Sequence, residues 1–232
     1  MEVEGMTSLS EKTLRSHVTN CSTIHIYGAG LNHERPAHTA VGELSELGWA
    51  CAPIHPRDAG GTISGFPIRP SLDDGIVPEI VVLFLAPQRA QSVVRDLIVR
   101  LGHENFPLIW FQRGAEDDRS IEALDAMNAP YVANDCIVEY TARNALTCLR
   151  SILPQDFCLQ TASEDGDGCS VWTTHSSHDA ELTPPTHGLE WIGSLDDLTS
   201  SNHTIPRYIR SLRNEGETLS ELAQRLTKSD PG

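Results

Sequence analysis

The chain has 232 residues, 39% of them hydrophobic, and its 17 Lys and Arg face 32 Asp and Glu for a formal net charge of −15. That balance disfavours nonspecific attraction to nucleic acid or anionic lipid, so an anionic ligand needs a local basic cluster. No stretch approaches the ~20 apolar residues of a membrane span, no basic segment leads into an apolar run at the amino terminus, and the six cysteines include no Cys-x-x-Cys pair. The expectation is a cytoplasmic protein with reduced thiols.

Ser8-Leu9-Ser10-Glu11 has capping-box spacing, and Leu14 with Val18 makes an apolar stripe, which predicts a short helix ahead of the first strand. Thr23 to Tyr27 reads as that strand, Gly28-Ala29-Gly30 as a glycine turn, and Pro36 as the first residue of a helix reaching Leu47, where Gly48 stops it. Trp49 to Ile54 reads as the second strand, closed by His55-Pro56-Arg57. Gly60, Gly61 and Gly65 then mark a loop-rich segment with a short strand near Phe66 to Ile68. Ile80 to Leu85 is apolar on every residue, as in a parallel strand covered on both faces.

A helix from Pro87 follows, with Ala90, Val93, Val94, Leu97, Ile98 and Leu101 at helical spacing. Strand Leu108 to Phe111, helix Asp118 to Met127, strand Tyr131 to Ala133 and a helix from Thr141 to Leu153 complete the alternation. Alternating strands and helices predict an α/β fold with a Rossmann-like, doubly wound, mostly parallel sheet over residues 8–153. Residues 154–190 are rich in Ser, Thr, Asp, Gly and Pro and read as a linker or loose segment. Residues 191–232 read as a helical extension, with stripes Ile205, Ile209, Leu212 and Leu219, Leu222, Leu226. Those stripes need cover, which suggests a protein partner or a second copy. Cys158, Cys169, His175, His178 and His187 are metal-ligand types, but their spacing fits no common site and no metal is expected.

Ligands on such sheets bind beyond the carboxyl ends of the strands, where Gly28 to Gly30, His55 to Arg57, Ala86-Pro87 and Gln112 to Gly114 are expected to converge. A strand, a glycine turn and a helix starting at proline aim backbone N–H groups and a helix dipole at one point, which suits phosphate. A nicotinamide dinucleotide calls for a third glycine and for an acid after the second strand; this chain has His33 and Arg57 there instead. Arg35, His38, Arg57 and Arg69 supply basic groups for a pyrophosphate and a separate ribose phosphate.

Gly28-Ala29-Gly30-Leu31-Asn32-His33-Glu34-Arg35-Pro36-Ala37-His38 resembles the G-A-S-x-N-P-E-R-P-S-H opening of the stand-alone CoA-binding domain proteins, relatives of the amino-terminal domain of the succinyl-CoA synthetase α subunit. His55-Pro56, Pro70-Ser71-Leu72, Phe84 to Pro87, Trp110 to Gly114 and Asn134 to Ile137 resemble further motifs of that family, in order. The resemblance implies coenzyme A or an acyl-CoA as ligand. It places the pyrophosphate at Gly28, Ala29, Gly30, Asn32, Arg35, Pro36 and His38, and the 3′-phosphate near His55, Pro56 and Arg57. Ala86, Pro87, Gln112 and Gly114 would flank the pantetheine arm. Leu85-Ala86 stands where the family has paired arginines, Val82 where its strand has a second Asp, and His55 where it has Asn. The resulting expectation is non-catalytic binding; the alternatives are a subunit or remnant of an acid–thiol ligase and a Rossmann-type sensor of an NAD-like nucleotide.

Overall fold

The apolar runs of the sequence lie side by side in the computed structural model, which describes residues 6–153, 155–163, 169–177, 181–186 and 188–229. The chain divides into two compact units, Met1–Pro53 with Val77–Leu153, and Ile54–Ile76 with Pro154–Gly232. The first unit holds strands β1 (Met6–Thr7), β2 (Thr23–Tyr27), β3 (Ala50–Ile54, whose last residue opens the second unit), β6 (Ile80–Leu83), β7 (Leu108–Phe111) and β8 (Tyr131–Ala133). Their order across the sheet is β1-β8-β7-β6-β2-β3. β2 pairs parallel with β6 (Tyr27 opposite Leu83), β6 with β7 and β7 with β8, and only the short edge strand β1 runs antiparallel, Met6 opposite Ala133. Every residue of β6 and β7 is buried, as strands sandwiched between helices must be.

Helices α1 (Glu11–Asn20), α2 (Pro36–Glu46), α3 (Pro87–Arg100), α4 (Asp118–Ala126) and α5 (Ile137–Arg143) join these strands. Each long helix buries one stripe: Ala37, Ala40, Val41 and Leu44 in α2, and Ala90, Val94 and Leu97 in α3. From β2 the chain moves outward to β3, then returns across β2 to β6 and continues to β7 and β8. The direction of winding therefore reverses between β2 and β6, which is where doubly wound sheets open a crevice.

Three local readings change in this unit. Helix α1 is capped by Ser10, whose hydroxyl accepts from Thr13 N, rather than by Ser8, which bonds to Tyr131 beside the edge strand. Strand β6 stops at Leu83 rather than Leu85, and Phe84 N donates the last ladder bond to Tyr27 O at 3.0 Å. The last helix spans Ile137–Arg143, not Thr141 to Leu153. Ala145 adopts φ 48°, and Cys148 N and Leu149 N donate to Leu47 O and Thr19 O, so tertiary backbone bonds replace further helical ones.

The second unit corrects the reading of residues 154–190 as linker. Strands β9 (Phe157–Ala162), β10 (Ser170–His175) and β11 (Leu189–Ser194) form an antiparallel sheet in the order β10-β9-β11. Thr, Val and Trp in β10 suit a strand, and the Ser- and Asp-rich composition reflects segments between strands rather than looseness throughout. His178 and His187 lie outside the described residues. Strand β11 also occupies the first part of what reads as a purely helical extension, before α6 (Leu195–Ser200), α7 (Thr204–Ser211) and α8 (Leu219–Ser229).

The apolar stripes of those helices close on this sheet. Leu198, Ile209, Leu222 and Ala223 pack with Cys158, Trp172 and Trp191, flanked by Ile205, Leu212, Leu219 and Leu226. The two tryptophans stack with centroids 5.9 Å apart, and Trp172 Nε1 donates to Ala223 O at 3.2 Å. Cover for the stripes thus comes from within the unit, which removes the reason to expect a partner there. The hairpin β4 (Thr62–Ile63) and β5 (Phe66–Pro67) belongs to the same unit, so residues 54–76 group with the carboxyl-terminal part rather than with the sheet domain in which the sequence reading places them.

Candidate functional site

The β2–α2 and β6–α3 turns meet at the switch point. Gly28 has φ +92°, a left-handed conformation that favours glycine, and a Cβ placed on it would lie 2.5 Å from Phe84 O and 3.4 Å from Leu85 Cδ2. Only a residue without a side chain lets these two crossing turns approach so closely. Beside this contact, burial pushes the Tyr27 phenol pKa upward, so that group stays neutral.

Both helices that start here begin with a proline at the first position and lack a side-chain cap and any acid in the first turn. Helix α4, by contrast, is capped by Asp117 and has Asp118 in its first turn. An uncapped helix start carries an effective charge of about +0.5, and the absence of a carboxylate leaves that charge for a ligand. Arg35 is the N-cap residue of α2 and Arg89 the third residue of α3; both are exposed and neither forms an ion pair with a described residue.

The turn itself is held by side chains. Asn32 Oδ1 accepts from Glu34 N at 3.0 Å, and Asn32 O accepts from Arg35 N at 3.0 Å, a local turn that delivers the chain to Pro36. His38 Nδ1 lies 2.8 Å from Gly30 O, and His38 Nε2 lies 2.8 Å from His33 Nδ1. A carbonyl only accepts, so His38 Nδ1–H donates to it, while His38 Nε2 and His33 Nδ1 share one hydrogen. His38 accordingly fixes the glycine turn, a role distinct from direct phosphate contact.

At the carboxyl end of β7, Gln112 is 7% exposed, and its side-chain Nε2 has no hydrogen-bond partner among the described residues. Its backbone is committed, N donating to Leu83 O at 3.3 Å and O accepting from Ala115 N at 2.8 Å. An orphaned buried amide of this kind costs about 1–3 kcal/mol unless something else accepts from it. Gly114, with φ +81°, gives its N–H to Glu116 Oε2 at 3.0 Å, which places a carboxylate rather than a cationic group at that turn. The Asn134 to Ile137 motif is structural: Asp135 accepts from Arg143 and from Cys136 N, while Trp110 Nε1 donates to Asp135 O at 3.0 Å. Arg113 is neutralised by a two-pronged bond to Glu139.

The carboxyl ends of β2, β6 and β7 therefore bring together Gly28, Ala29, Gly30, Asn32, Arg35, Pro36 and His38 on one turn, Ala86 and Pro87 on the next, and Gln112 and Gly114 on the third. Of these, Arg35 and the uncapped helix starts are suited to an anion, whereas His38 is committed to the turn and Gly114 N–H to Glu116. His55, Pro56 and Arg57 follow β3 within the second unit, where His55 Nδ1 lies 3.1 Å from Asp58 Oδ2 and Arg57 is exposed. Sequence reasoning missed Arg89, which a search of first helical turns for cations would have found, and the His33–His38 pair, where attention fell on the glycine that His33 replaces. Among the described residues no group of three or more His, Cys, Asp and Glu could hold a metal, and no helix is long and apolar enough to cross a membrane.

A family model described as CoA binding domain matches residues 22–141, more than half of the chain. Among solved structures, a Thermus thermophilus protein (cell-free ID.343) is 25% identical, with TM-score 0.51, over 58% of this chain and 98% of its own. A hypothetical protein from Pyrococcus horikoshii OT3 is 23% identical, with TM-score 0.53, over 62% and 97%, and shares the fold. No curated protein is significantly similar to the chain.

Proposed function

Because this chain belongs to the CoA-binding domain family, we propose that it binds CoA or an acyl-CoA without transforming it. The CoA pyrophosphate sits against the Gly28–Gly30 turn and the starts of α2 and α3. Arg35 and Arg89 contribute charge there, Arg89 compensating for Leu85 and Ala86 where the family has arginines. The Gln112 amide donates to the pantetheine arm. The observation that carries this reading is the pair of adjacent, proline-started, acid-free helix ends at the switch point, held together by Gly28 against Phe84 O.

Isothermal calorimetry of the full chain with CoA, dephospho-CoA and NAD tests it. Binding of CoA, weaker binding of dephospho-CoA and no heat with NAD are expected. No heat with CoA overturns the ligand.

A further inference from the structure

His33 and His38 face each other on the turn between β2 and α2, and both belong to the first unit. Their rings meet edge to face with centroids 4.3 Å apart, His33 Nδ1 lies 2.8 Å from His38 Nε2, and His38 Nδ1 lies 2.8 Å from Gly30 O. With the His38 Nδ1 hydrogen given to the carbonyl, one hydrogen occupies the gap between the rings. One further proton fits on the remaining nitrogen, His33 Nε2, and leaves both bonds in place. A second would set N–H against N–H across the gap. The pair is therefore an acceptor of one proton whose charged form needs no rearrangement of the turn, built from the side chain suited to exchange a proton near neutral pH.

The place of this acceptor decides what controls it. His38 is the third residue of α2, and His33 is exposed. A positive charge there is opposed by the uncapped start of α2, equivalent to about +0.5, and by Arg35, until an anion occupies the turn. A ligand at these turns is indicated independently by Gln112 at the end of β7, whose amide is 7% exposed with its Nε2 unpartnered among the described residues. The other charged groups on these turns are Glu34 and Arg89, both exposed. Of the elements packed on α2, β2 carries His25 and Tyr27, and α5 carries Glu139 and Arg143, which are engaged by Arg113 and Asp135.

We propose that His33 is a ligand-binding residue: together with His38 it takes up a proton from solvent when a pyrophosphate occupies the Gly28–Gly30 turn, and the charge so gained offsets that of the ligand. No bond of the ligand changes. The proposal rests on the reading of that turn as the pyrophosphate site. Because binding takes up protons, affinity rises as pH falls.

Dephospho-CoA is the probe, since it lacks the 3′-phosphate, the one phosphate group of CoA that itself titrates near neutrality. Calorimetry of the full chain at pH 7, in two buffers of different ionisation enthalpy, gives the protons taken up per ligand bound. The wild-type chain should take up at least about 0.3 proton, so that its affinity rises at least about fourfold from pH 8 to pH 6. In His33→Pro the uptake should fall below about half the wild-type value, because the ring is lost while proline suits the first central position of the turn that Asn32 O and Arg35 N close. His33→Ala decides by the same criterion should proline disturb the fold. His25, Tyr27, Glu139 and Arg143 are present in every variant, so the difference in uptake belongs to the pair. Heat with dephospho-CoA but a smaller wild-type uptake, or an uptake in the folded variant above half of the wild-type value, overturns this proposal and leaves the pyrophosphate site standing. No heat with either CoA or dephospho-CoA overturns the underlying reading and this proposal with it.

Discussion

Replacing Gly28 by Ala tests the architecture of the site most directly, because the change adds one methyl group at a point where two backbone turns touch. The new Cβ would lie 2.5 Å from Phe84 O with φ at +92°. Adopting a left-handed conformation costs an alanine roughly 1–2 kcal/mol. Relieving the overlap requires the β2–α2 and β6–α3 turns to part, an overpacking cost of about 1–3 kcal/mol. The sum is about 2–5 kcal/mol, a large share of the 5–15 kcal/mol typical of a whole domain. Gly114→Ala is the internal control, since its φ is +81° but a Cβ there meets nothing within 4 Å; only the conformational cost of about 1–2 kcal/mol applies. Urea titrations with exchange labelling of β2 and β6 peptides would measure both variants on the unit concerned. Gly28→Ala should be the less stable of the two and should lose CoA binding more than its residual folded fraction explains. Equal stability of the two variants would refute the close approach as the reason for glycine at position 28.

If the proposed pyrophosphate position is right, Arg35→Ala and Arg89→Ala should each weaken CoA and dephospho-CoA alike, by roughly tenfold; calorimetry that finds Arg89→Ala unchanged would remove it from the site. Gln112→Leu takes away a buried donor without a partner, so stability in urea should hold or rise by about 1 kcal/mol while CoA affinity falls; a loss above about 2 kcal/mol would mean that the amide is satisfied in the folded chain. Arg225, helped by the Asn214 N–H, holds the Glu217 carboxyl down to about 2 from 4.5. A depressed folded value gives stability that is present above the unfolded value near 4.5 and is lost as pH falls towards 2. Glu217→Gln should therefore flatten the acid limb of the stability profile in that window, and a carboxyl titration by NMR near 4.5 would contradict the pairing.

The sheet domain was legible because its signals are local. Runs such as Ile80 to Leu83 are apolar on every residue, and prolines at 36 and 87 fix backbone angles suited to a first helical turn, so these strands and helix starts could be read, whereas the end of the last helix, set by tertiary backbone bonds, could not. The glycine turn was legible for the same reason, and the candidate site residues on the first three turns follow from strand order. What the sequence could not display are partnerships formed across long separations. Arg69 and Asp197 stand 128 residues apart, and neither position carries a mark that it will meet the other. Strands β9 to β11 were hidden because an antiparallel sheet in a polar segment draws its stability from cross-strand pairs and from helices packed on one face, not from the run itself.

By itself, then, the sequence determined the class of fold, the glycine turn between β2 and α2, and the charge balance that makes any anionic ligand depend on a local cation. Tertiary structure alone decided that Gly28 must be glycine, since the atom that excludes a side chain is a carbonyl on another turn. It also decided that residues 54–76 belong with the carboxyl-terminal part, because the buried Arg69–Asp197 ion pair and the bond from Trp191 to the Asp73 carboxylate outweigh chain continuity in setting where a segment folds.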